Sequence, residues 1–290
     1  MRLGICTTDF KAMSVNQLFD RVASYGFEAV QLSFASVAET GFEADGRLEI
    51  PAEVPPGVIR TIADAAASRS LSIVAVNGTF NMAHPDRAVR DEGVRRFEGF
   101  AAAVAALGAP IASICTGTRC AEDLWTFHPD TASDAAWDDM MEVARAIAAI
   151  ARRHGIRLGI ETEASNVIST PERARRLIDE VGADVMCVVM DCANLFHAGQ
   201  ARRDRVADVI GHAFDVLGDD VALAHGKDIL ASDGLRFCAA GDGIVDFDLF
   251  LMLLAKYGYR GDMVLHGAHG HASVARAAAF LRARIAESGQ

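Results

Sequence analysis

Two periodicities alternate along the chain. Short runs dense in Val, Ile and Leu predict strands buried on both faces. Longer runs with apolar residues every three or four positions predict amphipathic helices. The strand candidates are 2–7, 29–33, 72–77, 111–116, 157–161, 185–191, 221–227 and 262–266, and a helical stretch follows each. Ser14 with Gln17 reads as a capping box. Thr170 reads as a cap with Pro171 in the first turn, and Asp246 opens a helix that stops at Gly258. The longest helices are expected over 86–107 and 132–154.

Strands alternating with helices argue for a parallel sheet. Eight such units in 290 residues predict an α/β protein, a closed (β/α)8 TIM barrel that occupies 1–290 as a single domain. A doubly wound open sheet is the runner-up. It would usually bring a glycine-rich turn after its first strand, and "ICTTDF" is not one. No linker, low-complexity segment or charge run divides the chain.

Composition removes some partners. The net charge of −11 repels phosphate backbones, so nucleic acid is not an expected partner. The longest apolar region, "AAAVAALGAPIASIC", is broken by Gly108 and Pro110 and too weakly hydrophobic to span a bilayer, so no membrane association is expected. The six cysteines form no CxxC pair, and the first residues reach Asp9 too soon for a signal peptide. A reduced, cytoplasmic protein is the simplest expectation.

In such a barrel, chemistry sits at the C-terminal ends of the strands. Those ends carry Gln31, Asn77, the loop 116–119, Glu161, Asp191, His225 with Lys227, and His266. Four consecutive strands therefore finish in a carboxylate or an imidazole, and the four must converge on one patch. Unpaired, the two carboxylates would repel and resist desolvation. A divalent cation removes that conflict. Two carboxylates with two imidazoles suit Mn, Zn, Fe or Co better than Mg. Glu161, Asp191, His225 and His266 are thus the candidate metal ligands.

The motifs "LGIETE", "VVMDCANLF", "HGKD" and "GDGIVDFDLFLMLLAKYGYRG", in that order, resemble the xylose-isomerase-like TIM barrels, the sugar phosphate isomerase/epimerase group. The resemblance covers nearly the whole chain. It implies that Glu161, Asp191 and His225 bind one divalent metal. The family's fourth ligand is a glutamate at the end of the last strand, where this chain has His266. That change alters the charge of the site by one unit. His266 stands on the strand end, whereas His269 and His271 follow Gly267 and Gly270 into a loop. The family's proton-transfer role at the last strand then falls to His266 itself or to Glu163, which shares a face with Glu161 if the strand extends that far and is otherwise a solvated loop carboxylate. The family often has a histidine shortly after the strand-six Asp. Here Asn194 stands there, suited to a sugar hydroxyl or to capping the turn.

Further candidates line the same rim. Asn77 and His84 are candidates for substrate contact, with His84 before Pro85 alternatively holding the loop, and Arg119 suits either a phosphate or carboxylate on the substrate or a surface salt bridge. Lys227 faces the rim by alternation and could stabilise an enolate-like oxygen or bind a substrate anion. Trp125, Phe127 and Trp137 are either a lid or packing.

The resulting expectation is a metal-dependent isomerase or epimerase of a small sugar, sugar acid or related polyhydroxy carbonyl compound. Glu163, His266 and Lys227 are its catalytic candidates. A sugar or cyclitol dehydratase and a non-catalytic sugar-binding protein are the alternatives. A DNA-repair endonuclease on this fold would need more His and Glu at strand ends and a basic face. Relatives of the family often pair, so a homo-oligomer is possible.

Overall fold

A computed structural model of the chain describes residues 1–289. Its strands are β1 (Leu3–Cys6), β2 (Ala29–Leu32), β3 (Ser72–Asn77), β4 (Ile111–Ile114), β5 (Arg157–Ile160), β6 (Met186–Asp191), β7 (Val221–Ile229), β8 (Phe237–Ala239) and β9 (Met263–Leu265). All but β8 run parallel, and pairing of β6 with β7 and of β9 with β1 closes an eight-stranded barrel. Around it lie α1 (Val15–Ser24), α2 (Pro56–Ser68), α3 (Arg87–Ala106), α4 (Asp134–His154), α5 (Pro171–Val181), α6 (Val206–Leu217), α7 (Phe247–Lys256) and α8 (His271–Ser288). This is the expected (β/α)8 barrel, and the open sheet is excluded by the closure.

The caps behave as the sequence implies. Ser14 and Gln17 form the reciprocal capping box, Thr170 accepts from the Arg173 amide, and Asp246 from that of Leu249. The helix expected from residue 132 starts later, because Pro129–Ala132 form a separate short turn and Ser133 caps α4. No helix among the described residues is long and apolar enough to cross a membrane.

The barrel interior decides where the chemistry sits. Ala75, Ile111, Val189, Leu223 and Val264 belong to an apolar plug inside the cylinder. Side chains two residues apart on a strand share a face. Two residues beyond those five stand Asn77, Ser113, Asp191, His225 and His266, so the polar rim lies directly above the plug. Gly226 keeps this alternation workable on β7. A Cβ there would meet Leu281 of α8 at 2.5 Å, so glycine lets the helix close against the outer face between inward-facing His225 and Lys227.

Strand β7 runs two residues further than expected, to Ile229, because it pairs antiparallel with β8. Asp228 holds this extension. Its carboxylate accepts from the amides of Ile229 (2.8 Å), Val245 (2.9 Å), Gly241 (3.0 Å) and Gly243 (3.0 Å). Asp228→Ala leaves these donors without their acceptor and is expected to cost at least ~3 kcal/mol of unfolding free energy, with Asp228→Asn costing less. Guanidinium denaturation measures both, and equal stability of all three proteins would refute the assignment.

Candidate metal centre

Four side chains meet at the top of the plug. Glu161, Asp191, His225 and His266 each offer one ligand atom, and these atoms all lie within 4.8 Å of one another. Asp191 and His225 sit within strands, whereas Glu161 and His266 lie one residue beyond β5 and β9. Backbone pairing still holds those two ends, through the amide of Glu161 on Ile114 (3.0 Å) and that of His266 on Gly226 (3.3 Å).

The hydrogen bonds around the four leave particular atoms free. One oxygen of Asp191 caps the following turn by accepting from Ala193 (2.9 Å) and Asn194 (3.4 Å). The other, Oδ2, is buried with no hydrogen bond among the described residues, as are Nδ1 of His225 and Nδ1 of His266. His225 meets Gln31 Oε1 through Nε2 at 2.8 Å, which places the ring proton on Nε2 and a lone pair on Nδ1. Gln31 is oriented in turn by donating to Asn77 Oδ1 (2.8 Å) and Ser113 Oγ (3.2 Å). Buried polar atoms are rarely left unpartnered. Three such acceptors from three strands around one point fit a cation, and the donor set of two carboxylates and two imidazoles suits a divalent transition metal.

Electrostatics point the same way. Burial opposes a charge on His225, but the Glu161 carboxylate, aided by Asp191, raises its pKa to about 9. Nδ1 lies 3.5 Å from an oxygen of each. The two carboxylates thus draw a positive charge to the position a metal would take. Burial also works against ionised Asp191, yet the charge of Lys227 and then His225 hold it well below the usual carboxylate range. His266 is driven the other way, well below the ordinary imidazole value, by burial and then by Lys227 and His225. It stays a neutral donor.

Beside the four, Asn194 donates to Glu161 (2.6 Å) and accepts from Lys227 Nζ (2.6 Å), which also lies 3.6 Å from Asp191. Glu163 lines the same cavity, and burial pushes its carboxyl up to about 7 against the pull of Lys227. The cavity measures about 420 Å³ and is lined further by Gln31, Glu49, Asn77, Thr79, Trp125 and Phe237.

The structure does not bring every expected substrate contact here. His84 is buried with both ring nitrogens on backbone, Nε2 with Ala121 O and Nδ1 accepting from Asp86 N. Arg119 pairs with Asp139 at 2.7 Å and donates to Ala83 O. Both hold loops, and neither lines the cavity. Trp137 is packed in α4 beneath Arg176, whereas Trp125 stands at the cavity. Glu49 and Phe237 are cavity residues to which the sequence assigns no role, and Gln31 is marked there only as a polar strand end. The signal for Phe237 was the "SDG" turn at Ser232–Gly234, which announces a hairpin after β7.

A family model described as xylose isomerase-like TIM barrel matches residues 19–284. An inosose dehydratase of Glaesserella parasuis serovar 5 (strain SH0165) is 27% identical over 144 residues, covering 46% of this chain and 48% of that protein. An inosose dehydratase of Histophilus somni (strain 129Pt) is 25% identical over 146 residues, with the same coverage of 46% and 48%. The chain spans about half the length of the curated relatives it matches. Among solved structures, a D-tagatose 3-epimerase-like protein superposes with a TM-score of 0.75 at 16% identity, over 100% of this chain and 98% of that one. A xylose isomerase-like TIM barrel protein from Mycobacterium smegmatis, in complex with magnesium, gives 0.72 at 15% identity over 99% and 97%. D-psicose 3-epimerase from Clostridium cellulolyticum H10, with D-tagatose, gives 0.68 at 15% identity over 99% and 98%. At these identities the structural likeness is one of fold.

Two outcomes are expected. Protein loaded with Mn²⁺ and desalted carries one ion per chain by elemental analysis. His225→Ala abolishes this, and Gln31→Ala weakens affinity roughly 10- to 100-fold by freeing the His225 ring. Separately, Asp9 accepts from the amides of Gly267 (3.0 Å) and Ala268 (2.9 Å) just after His266, and burial pushes its carboxyl up to about 6. The unfolded chain ionises this group near ~3.9. Between about pH 4 and pH 6 the folded form alone keeps the proton, so Asp9 makes stability fall as pH rises through that window. Denaturation at pH 4 and pH 7 should show that fall flattened in Asp9→Asn.

Proposed function

The chain belongs to the xylose isomerase-like TIM barrel family, and we propose that it is a metal-dependent isomerase or epimerase of a small sugar or related polyhydroxy carbonyl compound. The observation that carries this reading is the cluster of four potential ligands, two of which, Glu161 and His266, line one cavity together with Glu163 and Lys227. When bound, a divalent cation polarises a substrate carbonyl and acidifies the neighbouring C–H. Glu161, Asp191, His225 and His266 would hold it.

The chain's own residues supply the rest. Glu163 reaches the cavity without belonging to the ligand set, so its carboxylate is free to take the proton from carbon. His266, whose ring offers one nitrogen to the cluster, serves as a ligand in this scheme. Lys227, steadied by Asn194, donates to the substrate oxygen on which negative charge develops. Asn77 and Asn194 offer amide groups to substrate hydroxyls. Return of the proton to the adjacent carbon, with the hydroxyl proton passing between the two oxygens, gives an isomer. Return to the opposite face gives an epimer.

A second reading has an observation in its favour. The two curated relatives are inosose dehydratases. The same deprotonated substrate can expel a β-hydroxyl as water, so Glu163 would act as the base of an elimination.

The test is incubation of Mn²⁺-loaded protein with a panel of ketoses and inososes in D₂O. Deuterium is expected to enter next to the carbonyl, as read by NMR. Glu163→Gln should slow this by about 10²- to 10⁴-fold while still binding metal. Loss of one water by mass spectrometry would select the dehydratase. Exchange that survives Glu163→Gln undiminished moves the base to another group.

A further inference from the structure

We infer that the cavity selects an uncharged polyhydroxy substrate over its phosphate ester, with Glu49 as the residue that sets this charge preference. The inference rests on the reading of the centre as a sugar-processing site and deepens it to a substrate class.

The first argument is where the cations are. Lys227 is the one cationic side chain among the described residues that line the cavity. Its ammonium donates to Asn194 at 2.6 Å, faces Asp191 at 3.6 Å and lies 4.0 Å from the centre of the Phe237 ring, and its remaining reach is the one assigned to the reacting oxygen. Arg119, the rim residue best suited to a phosphate, is tied to Asp139 and the Ala83 carbonyl. Lys11 and Arg21 border a neighbouring cavity that Asp9 also lines, and Thr8 is common to both cavities.

The second argument is what stands in the cations' place. Carboxylates of Glu49, Glu161 and Glu163 line the cavity, and Asp191 lies beneath it. A divalent ion held there would balance Glu161 and Asp191. Glu49 is outside the ligand set, held by the indole N–H of Trp125, which donates to its Oε1 at 3.0 Å. Its second oxygen makes no hydrogen bond among the described residues and is available to a substrate hydroxyl. A phosphate ester, carrying about −1.5 to −2 charges near neutral pH, would enter a space lined by carboxylate without a fork of donors to receive it.

The third argument is the walls. Trp125 is 41% and Phe237 39% exposed, unusual for large apolar side chains in this chain, and both line the cavity. Phe237 comes from β8 and Trp125 from the loop after β4, so they reach the space from different parts of the rim. Aromatic faces of this kind accept the C–H face of a sugar ring, while Glu49 and the amides take its hydroxyls.

The experiment is calorimetric binding to Mn²⁺-loaded protein of matched pairs, D-tagatose with D-tagatose 6-phosphate and D-fructose with D-fructose 6-phosphate. The free sugar of at least one pair is expected to bind on the order of 10-fold more tightly than its ester. In Glu49→Gln, which keeps an acceptor for the Trp125 indole, that gap should shrink about threefold or more. An ester that binds as tightly as its sugar, a gap unchanged in Glu49→Gln, or no binding by either pair would overturn the inference. So would ester binding lost in Lys11→Ala, which would mean that the phosphate reaches the neighbouring cavity. The deuterium-exchange assay separates this inference from the functional reading. Selective binding without exchange sinks only the isomerase, and exchange with the ester preferred sinks only the charge rule.

Discussion

Two carboxylates aimed at one dry point are the constraint on which this structure turns. Glu161 and Asp191 come from adjacent strands, and His225 faces both at 3.5 Å. In a low-dielectric interior such a pair is costly to keep ionised without positive charge between or beside it. The chain answers with Lys227 on one side and with an Asn194 amide clamped between Lys227 and Glu161. It leaves the centre itself for something else, as the raised affinity of His225 for a proton signals. The barrel serves this arrangement by holding each ligand on a different strand, where relaxation away from its neighbours would break sheet pairing.

The loops then divide into two kinds. Those after β3 and β4 are braced among themselves. Asp139 of α4 grips both Arg90 and Arg119, and Asn81 accepts from the Thr118 amide. The loop after β7 is braced through Asp228, next to Lys227 in the chain but turned away from it. Alternation explains the pair. Lys227 faces the cavity, Asp228 faces the loop that follows, and so the rigidity of Phe237 and the position of the lysine share one short segment of strand.

Much of this was legible in the sequence because strand alternation is a strict rule. Once the plug residues Leu223, Val189 and Val264 were read as buried strand, His225, Asp191 and His266 had to stand above them. The agreement there comes from a period of two that no tertiary contact can override without breaking the sheet. His84 and Arg119 follow no such rule. They lie in loops, and their partners, the Ala121 carbonyl and Asp139, are set by chain folding far from them in sequence. The β8 hairpin was overlooked for a related reason. Its three residues are too few to show a period, and the strand is defined by pairing with β7.

The relay from Ser113 through Gln31 to His225 carries a consequence for which form of a histidine this protein can use. Gln31 Nε2 donates to Asn77 Oδ1 and Ser113 Oγ, so its oxygen faces His225. When that ring gives up its extra proton to make way for an ion, the proton that stays is therefore the one on Nε2. A glutamine on the second strand thereby decides which nitrogen of a ring on the seventh faces the centre with its lone pair, and a rotation of its amide would be enough to reverse it.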